Sequence, residues 1–166
     1  MSVDAVRAHL APFGLADAIR VFGDSSHTVA QAAEQVGTAP ARIAKTLAFL
    51  DPVDRSRAIL VVAAGDAKVQ GGAFKRRFGG KGDMVPADRL VELTGQPMGG
   101  VCPFANPPSA TIWLDESLRR FDVVWPAAGS HDSAVPIEVA RLEEISRAAG
   151  WVDICVGWRE IETTGD

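Results

Sequence analysis

Between positions 94 and 108 the chain runs Thr94-Gly95-Gln96-Pro97-Met98-Gly99-Gly100-Val101-Cys102-Pro103-Phe104-Ala105-Asn106-Pro107-Pro108, with three glycines and four prolines in fifteen residues. No helix or central strand holds such a composition, because proline removes a backbone donor and fixes φ while glycine admits φ > 0. The segment is therefore a stiff loop with accessible amides. Glycine and proline collect in surface connectors anyway, which is the plain reading of such a stretch. A connector has no use for Met98, Val101, Cys102 and Phe104, however, and this one is long for a compact domain. The segment is read as one wall of a pocket.

The rest of the chain must supply the other walls. Its 166 residues suffice for one core, and the expected division is a single domain over 1–157 with a polar, frayed tail over 158–166. Apolar content of 47% with 23% charged residues is ordinary for a globular protein, and no apolar run is long enough to span a bilayer. The N-terminal residues include an early acid and lack an apolar signal core, so the expected location is the cytoplasm. Cys102 and Cys155 have no metal-ligand spacing, and His9, His27 and His131 are dispersed, so neither a metal nor a cofactor is expected. A net charge of −4 argues against bulk electrostatic coating of nucleic acid. The charge is uneven, though. From Lys68 to Arg89 six bases face two acids, and from Asp115 onward eleven acids face five bases. The basic middle, with Lys75, Arg76 and Arg77 adjacent, suits a small phosphate contact or a solvated helix face.

Spacing predicts helices over 4–13, 29–36, 69–78, 86–94 and from Val139 to a stop at Gly150. Thr28 and Gln31 form a capping-box pattern before the second of these. His27 reads as a helix-start residue rather than a catalytic group. Strands are expected over 18–22, 43–50, 57–64, 83–85, 110–114, 121–126 and 151–156, with the second and third joined by a polar turn as an antiparallel hairpin. The sum is an α+β fold with a mixed, largely antiparallel sheet or partial barrel covered by helices. On the strand over 43–50, Lys45 shares a face with Leu47 and Phe49. Either it snorkels at the strand's end or its ammonium is aimed into a cavity to meet an anion.

Taken in order, Ile43-Ala44-Lys45-Thr46-Leu47, Leu93-Thr94-Gly95 leading into Gly99-Gly100-Val101-Cys102-Pro103-Phe104, Asp115-Glu116-Ser117-Leu118 and Ala128-Gly129-Ser130-His131 resemble the YbaK/prolyl-tRNA-synthetase-associated editing domain. The similarity runs from about residue 28 to 154. Each motif is weak alone, and the ordered set is much stronger. Stand-alone members of that family deacylate mischarged tRNA. The family's lysine falls on Lys45 and its G-x-x-x-P loop on Gly99 to Pro103, while a small-residue turn near the site falls on Gly129-Ser130-His131. Cys102 departs from a common serine, which touches amino-acid preference rather than class. The resemblance implies a trans-editing deacylase acting on tRNA, with tRNA for proline carrying alanine, serine or cysteine as the suggested substrate and a synthetase as a partner. It leaves the oligomeric state open.

The implied chemistry needs no protein nucleophile, because an aminoacyl ester is already activated and a vicinal ribose hydroxyl can assist water. Positioning and charge stabilisation suffice. Amides of Gly99, Gly100, Val101 and Cys102, in a loop closed by Pro103, would hold the carbonyl oxygen as it becomes an oxyanion. Lys45, next to Thr46, would anchor the terminal nucleotide or polarise the ester, and His131 would line the pocket and select side chains. Lys75, Arg76 and Arg77 would touch tRNA phosphates. Two other readings stand beside this one. Cys102 could be a nucleophile with His131 as base and Asp115 or Asp132 as orienter, or the domain could bind a tRNA end or a synthetase without catalysis.

Overall fold

The computed structural model describes residues 2–23 and 28–159. His27, expected at a helix start, lies outside the described residues. In chain order the elements are α1 (Ser2–Leu10), β1 (Arg20–Val21), α2 (Val29–Val36), β2 (Ile43–Leu50), β3 (Ala58–Ala64), β4 (Lys68–Val69), α3 (Gly71–Phe78), β5 (Asp83–Met84), α4 (Leu90–Thr94), β6 (Thr111–Asp115), β7 (Val123–Pro126), β8 (Ser133–Ala134), β9 (Ile137–Glu138), α5 (Val139–Ser146), β10 (Gly150–Val152) and β11 (Cys155–Val156). Short 3-10 turns fill several of the gaps.

The fold is α+β, built on a curled mixed sheet in the order β10-β6-β3-β2-β7-β9, with β5 also paired to β2. Of the eight strand pairings among the described residues, five are antiparallel and three parallel. The expected hairpin is its centre, with β2 and β3 in register from Ala44↔Ala64 to Leu50↔Ala58. Its turn is held by polar side chains: Asp51 accepts from the Val53 amide at 2.9 Å and Asp54 from the Ser56 amide at 3.1 Å. Every residue of β3 is buried, because β2 and β6 flank it and both of its faces are covered, which is why it reads as an unbroken run of apolar residues rather than an alternation. On α5 the buried positions Val139, Leu142, Ile145 and Ser146 form one stripe at helical spacing.

Local chemistry sets the ends of the elements. The capping box is present, with Gln31 N–H donating to Thr28 Oγ1 at 3.1 Å and Thr28 N–H to Gln31 Oε1 at 3.3 Å. Several expected bounds shift. The helix expected from 69 starts at Gly71, since Lys68 and Val69 pair instead with Val156 and Cys155. That expected over 86–94 opens as a 3-10 turn, Ala87–Arg89, and becomes α-helical at Leu90. The strand expected over 18–22 shrinks to β1. The last helix ends at Arg147, which adopts φ 57°, and Gly150 opens β10 rather than stopping the helix.

The strand expected over 151–156 is two strands in different sheets, β10 parallel to β6 and β11 antiparallel to β4. A buried carboxylate causes the break. Asp115 accepts from the Ile154 amide at 3.0 Å with one oxygen and from the Ser117 amide at 2.9 Å with the other, drawing the chain out of the first sheet at Ile154. Trp158, expected in the frayed tail, is buried, and its indole N–H donates to the Cys155 carbonyl at 3.2 Å. Asp153 pairs with Arg159 at 2.9 Å. No helix among the described residues is long and apolar enough to cross a membrane.

Candidate active site

The loop over 94–108 owes its shape to buried amide side chains as much as to glycine and proline. Gln96 is fully buried; its Nε2 donates to the Phe104 carbonyl at 2.7 Å and its Oε1 accepts from Asn106 Nδ2 at 3.2 Å and from the Cys102 amide at 3.4 Å. Asn106 Nδ2 also reaches the Thr94 carbonyl at 2.7 Å and the Cys102 carbonyl at 3.0 Å. One glutamine and one asparagine thus stitch both legs of the loop together. His9 of α1 fixes the outgoing leg. Its Nδ1 accepts from the Ala105 amide at 3.0 Å and its Nε2 reaches the Ile145 carbonyl at 2.7 Å, which together require the tautomer with the proton on Nε2.

The two glycines of the turn serve different ends. Gly99 has φ +84°, a conformation that side chains disfavour. Gly100 is needed for space: a Cβ there would lie 2.6 Å from the carbonyl carbon and oxygen of Gly129 and 2.7 Å from the Ser130 nitrogen. The loop backbone rests directly on the 128–133 turn. That turn is in turn organised by buried Ser133, whose Oγ accepts from the Ala128 amide at 3.1 Å and from the Ser130 amide at 3.2 Å and lies 2.9 Å from the Ser130 carbonyl.

Against this support the loop closes a small cavity of about 190 Å³, walled by Gly99 and Val101 on one side, Ile43 to Thr46 of β2 below, Val29 and Ala32 of α2 opposite, and Trp125, Ala127 and Ala134 at the back. It is smaller than the roughly 300–1,000 Å³ of sites for drug-sized ligands. Lys45 is half-buried at its edge, with Nζ 3.5 Å from the Gly65 carbonyl. Burial holds its pKa below the ordinary lysine value, and the neighbouring Asp66 opposes that shift. Asp66 is already committed, however: it forms a bidentate pair with Arg120 at 2.6 and 3.0 Å, which holds its carboxyl below the usual carboxylate range. Cys155 also lies near Lys45, but burial and Asp115 push its thiol up, so it remains neutral and offers no counter-charge. Among the described residues Lys45 has no carboxylate within ion-pair distance. Beside it, Thr46 Oγ1 is buried and has no hydrogen-bond partner.

Sequence-expected site residues thus divide into three sets. Lys45, Thr46, Gly99 and Val101 line the cavity together. Gly100, Cys102 and Pro103 are not among its lining residues, and Gly129 and Ser130 pack directly against Gly100. His131, expected as a wall, is exposed and is not one of the lining residues, and Lys75, Arg76 and Arg77 are exposed on α3, away from this cavity. Arg77 stacks on Trp113 at 4.3 Å. The expected amide donors also narrow. Gly100 N–H donates to the Pro97 carbonyl at 3.0 Å and Cys102 N–H to Gln96 Oε1 at 3.4 Å, whereas Gly99 and Val101, both residues that line the cavity, donate no amide hydrogen bond among the described residues.

The geometry does not favour a cysteine nucleophile. Cys102 is fully buried with Sγ 3.8 Å from the Phe104 carbonyl, and burial pushes its thiol up to about 12, too high to form thiolate near neutrality. Asp115 is occupied by the two amides that bend the chain, and Asp132 accepts from Ser130 Oγ at 2.6 Å. No group of three or more His, Cys, Asp or Glu among the described residues could hold a metal ion. Sequence alone did not single out Trp125, Ala127 and Ala134 or the role of His9. Their only signal is apolar residues in strands, which every core shares.

A family model described as the aminoacyl-tRNA editing domain matches residues 23–145, most of the chain. The chain belongs to the aminoacyl-tRNA editing domain family. This editing domain is 40% identical over 158 residues to an uncharacterized protein of Bacillus subtilis (strain 168), YwhH, a match covering 95% of the chain and 99% of that protein. Among solved structures it resembles a candidate trans-editing enzyme for prolyl tRNA synthetase with TM-score 0.83 and 26% identity, over 94% of this chain and 98% of the other. It also resembles a hypothetical protein, APE2540, with TM-score 0.73 and 29% identity, over 83% and 90% of the two chains. The cavity beside Lys45 therefore sits in an editing domain of the YbaK type.

Proposed function

We propose that this editing domain is a stand-alone deacylase that hydrolyses the ester of mischarged tRNA, acting in the cytoplasm and in trans to a synthetase. One observation carries the reading: half-buried Lys45 lines the same small cavity as Gly99 and Val101, and among the described residues Lys45 has no carboxylate partner and the amides of those two residues have no acceptor. Such a cavity suits an ester carbonyl whose oxygen gains charge as water attacks. Preorganised donors aimed at that charge are each worth about 10²- to 10³-fold in rate. Lys45 serves as the electrostatic anchor, binding the terminal phosphate or polarising the ester, and burial strengthens its interaction with an anion relative to water. The attacking water is assisted by the ribose hydroxyl next to the ester, since no protein base faces the cavity among its lining residues.

Size sets the specificity. A cavity of about 190 Å³ with Trp125 at its back admits alanine, serine or cysteine and excludes larger side chains, a sieve of the kind that editing sites use. Proline tRNA is the substrate the family relation favours. The test is a deacylation panel in which tRNAs carrying small and large amino acids are incubated with the protein and with Lys45→Ala. The expected result is hydrolysis of the small esters only, lost in the variant. Equal turnover by Lys45→Ala, or no turnover of any ester, would overturn the proposal.

A further inference from the structure

A second cavity, of about 560 Å³, opens on the same face of β2 as Lys45, because Lys45, Leu47 and Phe49 alternate with the residues that point the other way. Its floor is apolar, formed by Leu47, Phe49 and Phe74, with the two rings 4.5 Å apart and tilted 44°. Gly82 completes that floor by having no side chain: a Cβ there would lie 3.0 Å from the Phe74 ring and 3.3 Å from the Phe49 ring. Met84 stands at the lip with 54% of its surface exposed, an apolar side chain left in water. Lys75 and Lys81 stand at the same opening. Lys75 forms no ion pair among the described residues, and Lys81 has only a 4.0 Å approach to Asp83 with its side chain 86% exposed. The opening lies in the stretch from Lys68 to Arg89 where six bases face two acids. An apolar chamber with cations at its mouth fits a flat apolar body attached to an anion.

We propose that this chamber holds a nucleobase of the single-stranded tRNA end, the one next to the acylated nucleotide, while Lys75 and Lys81 neutralise its flanking phosphates. The assignment rests on reading the first cavity as the ester site. Lys45 lines that cavity and Leu47, two residues along the same strand, lines this one, so the two lie roughly 7 Å apart along β2, a span one extended nucleotide can bridge. The base is taken up by apolar contact rather than by hydrogen bonds to its edge, because Lys75 and Lys81 are the chamber's only charged lining residues. The site would therefore tolerate different bases, as stacking and apolar sites do.

The test uses the whole chain and the RNA trinucleotide CCA, with binding followed by anisotropy and by amide NMR shifts. The expected shifts fall on Gly71, Gly72, Gly82 and Met84. Met84→Asp should weaken CCA binding about tenfold or more, and a CCA in which the central base is abasic should lose a similar factor, the scale of one buried base. Lys75→Ala with Lys81→Ala should reduce the slope of log affinity against log salt by about 1.4, the contribution of two single-strand phosphates. Shifts confined to residues outside this chamber, an unchanged affinity of the abasic RNA, or AMP binding here as tightly as CCA would overturn the assignment. Deacylation is measured separately on the wild type. An active enzyme whose CCA shifts miss the chamber refutes this site and leaves the hydrolase reading standing; an inactive one whose shifts map here refutes the hydrolase reading and keeps the site as a tRNA-end contact.

Discussion

Gly100→Ala tests whether the loop works through the placement of its backbone. The Cβ of an alanine would meet Gly129 at 2.6 Å and Ser130 at 2.7 Å, and both neighbours are main chain, which cannot swing aside as a side-chain tip does. Ordinary contact starts at 3.4 Å, so the loop and the 128–133 turn must separate by about 0.8 Å. Overpacking of this kind costs about 1–3 kcal/mol. At about 2–4 °C per kcal/mol for a chain of this size, the melting temperature should fall by several degrees. The kinetic effect should be larger than the stability effect. The amides of Gly99 and Val101 flank the displaced residue, and a 1 Å misplacement of groups acting on a transition state can cost about 10²-fold. Turnover of a small-amino-acid ester on tRNA should drop by about 10- to 100-fold, mainly in kcat, because the donors act on charge that exists only in the transition state. Single-turnover hydrolysis alongside thermal denaturation gives both numbers. A variant that melts with the wild type and retains its kcat within about threefold would show that the contact between the loop and the turn does not position the chemistry.

Lys45→Met should abolish most deacylation yet raise stability slightly near neutrality, because it removes an ammonium that folding desolvates without a carboxylate partner among the described residues; the gain is small because half the side chain still meets solvent. The sign follows from the lowered pKa. The unfolded chain binds the proton more readily between the folded value and the ordinary one, so wild-type stability rises with pH through that window and the advantage of Lys45→Met shrinks there, as urea melts at stepped pH would show. Deacylation that depends on the ammonium should fall as pH rises through the same window, and a rate that keeps climbing there would remove Lys45 from the mechanism. Cys102→Ala should cost no more than about tenfold in turnover, roughly 1.4 kcal/mol, and iodoacetamide should leave Cys102 of the folded protein unmodified. An inactive variant together with a trapped acyl-enzyme would reverse that assignment. Neutralising Lys75, Arg76 and Arg77 together should weaken tRNA binding and flatten its salt dependence, and an unchanged slope would return them to a solvated helix face.

How much of this was legible in the sequence depends on the range over which each signal acts. The capping box at Thr28 and Gln31 and the hairpin of β2 and β3 are set by residues close together in sequence, and both are present. Lys45 was legible because period-2 alternation puts a charge on an apolar face. The failures are non-local. Nothing local to residues 151–156 reveals that Asp115, far back in the chain, takes the Ile154 amide and splits one strand into two. Arg147 ends a helix that Gly150 had every local qualification to end, because the Gly150 backbone is engaged by Trp113 of β6.

The same distinction governs the site. A G-x-x-x-P loop suggests from sequence that its backbone matters more than its side chains, but which amides are spare is decided by the partners of the others. Gly100 turns inward to Pro97, and Cys102 turns to Gln96, a buried side chain held in turn by Asn106 and Phe104. Alternate amides are consumed in building the loop, and those of Gly99 and Val101, residues that line the cavity, are left without an acceptor among the described residues. His131 shows the converse, for a histidine in a small-residue turn reads as a pocket wall until the turn is seen to contribute through its backbone, with Gly129 and Ser130 packed under Gly100. If the turn acts by support alone, His131→Ala should leave the range of esters hydrolysed unchanged, whereas Ala134→Leu, which fills the cavity from a buried position on its wall, should cut turnover of serine and cysteine esters more than that of alanine.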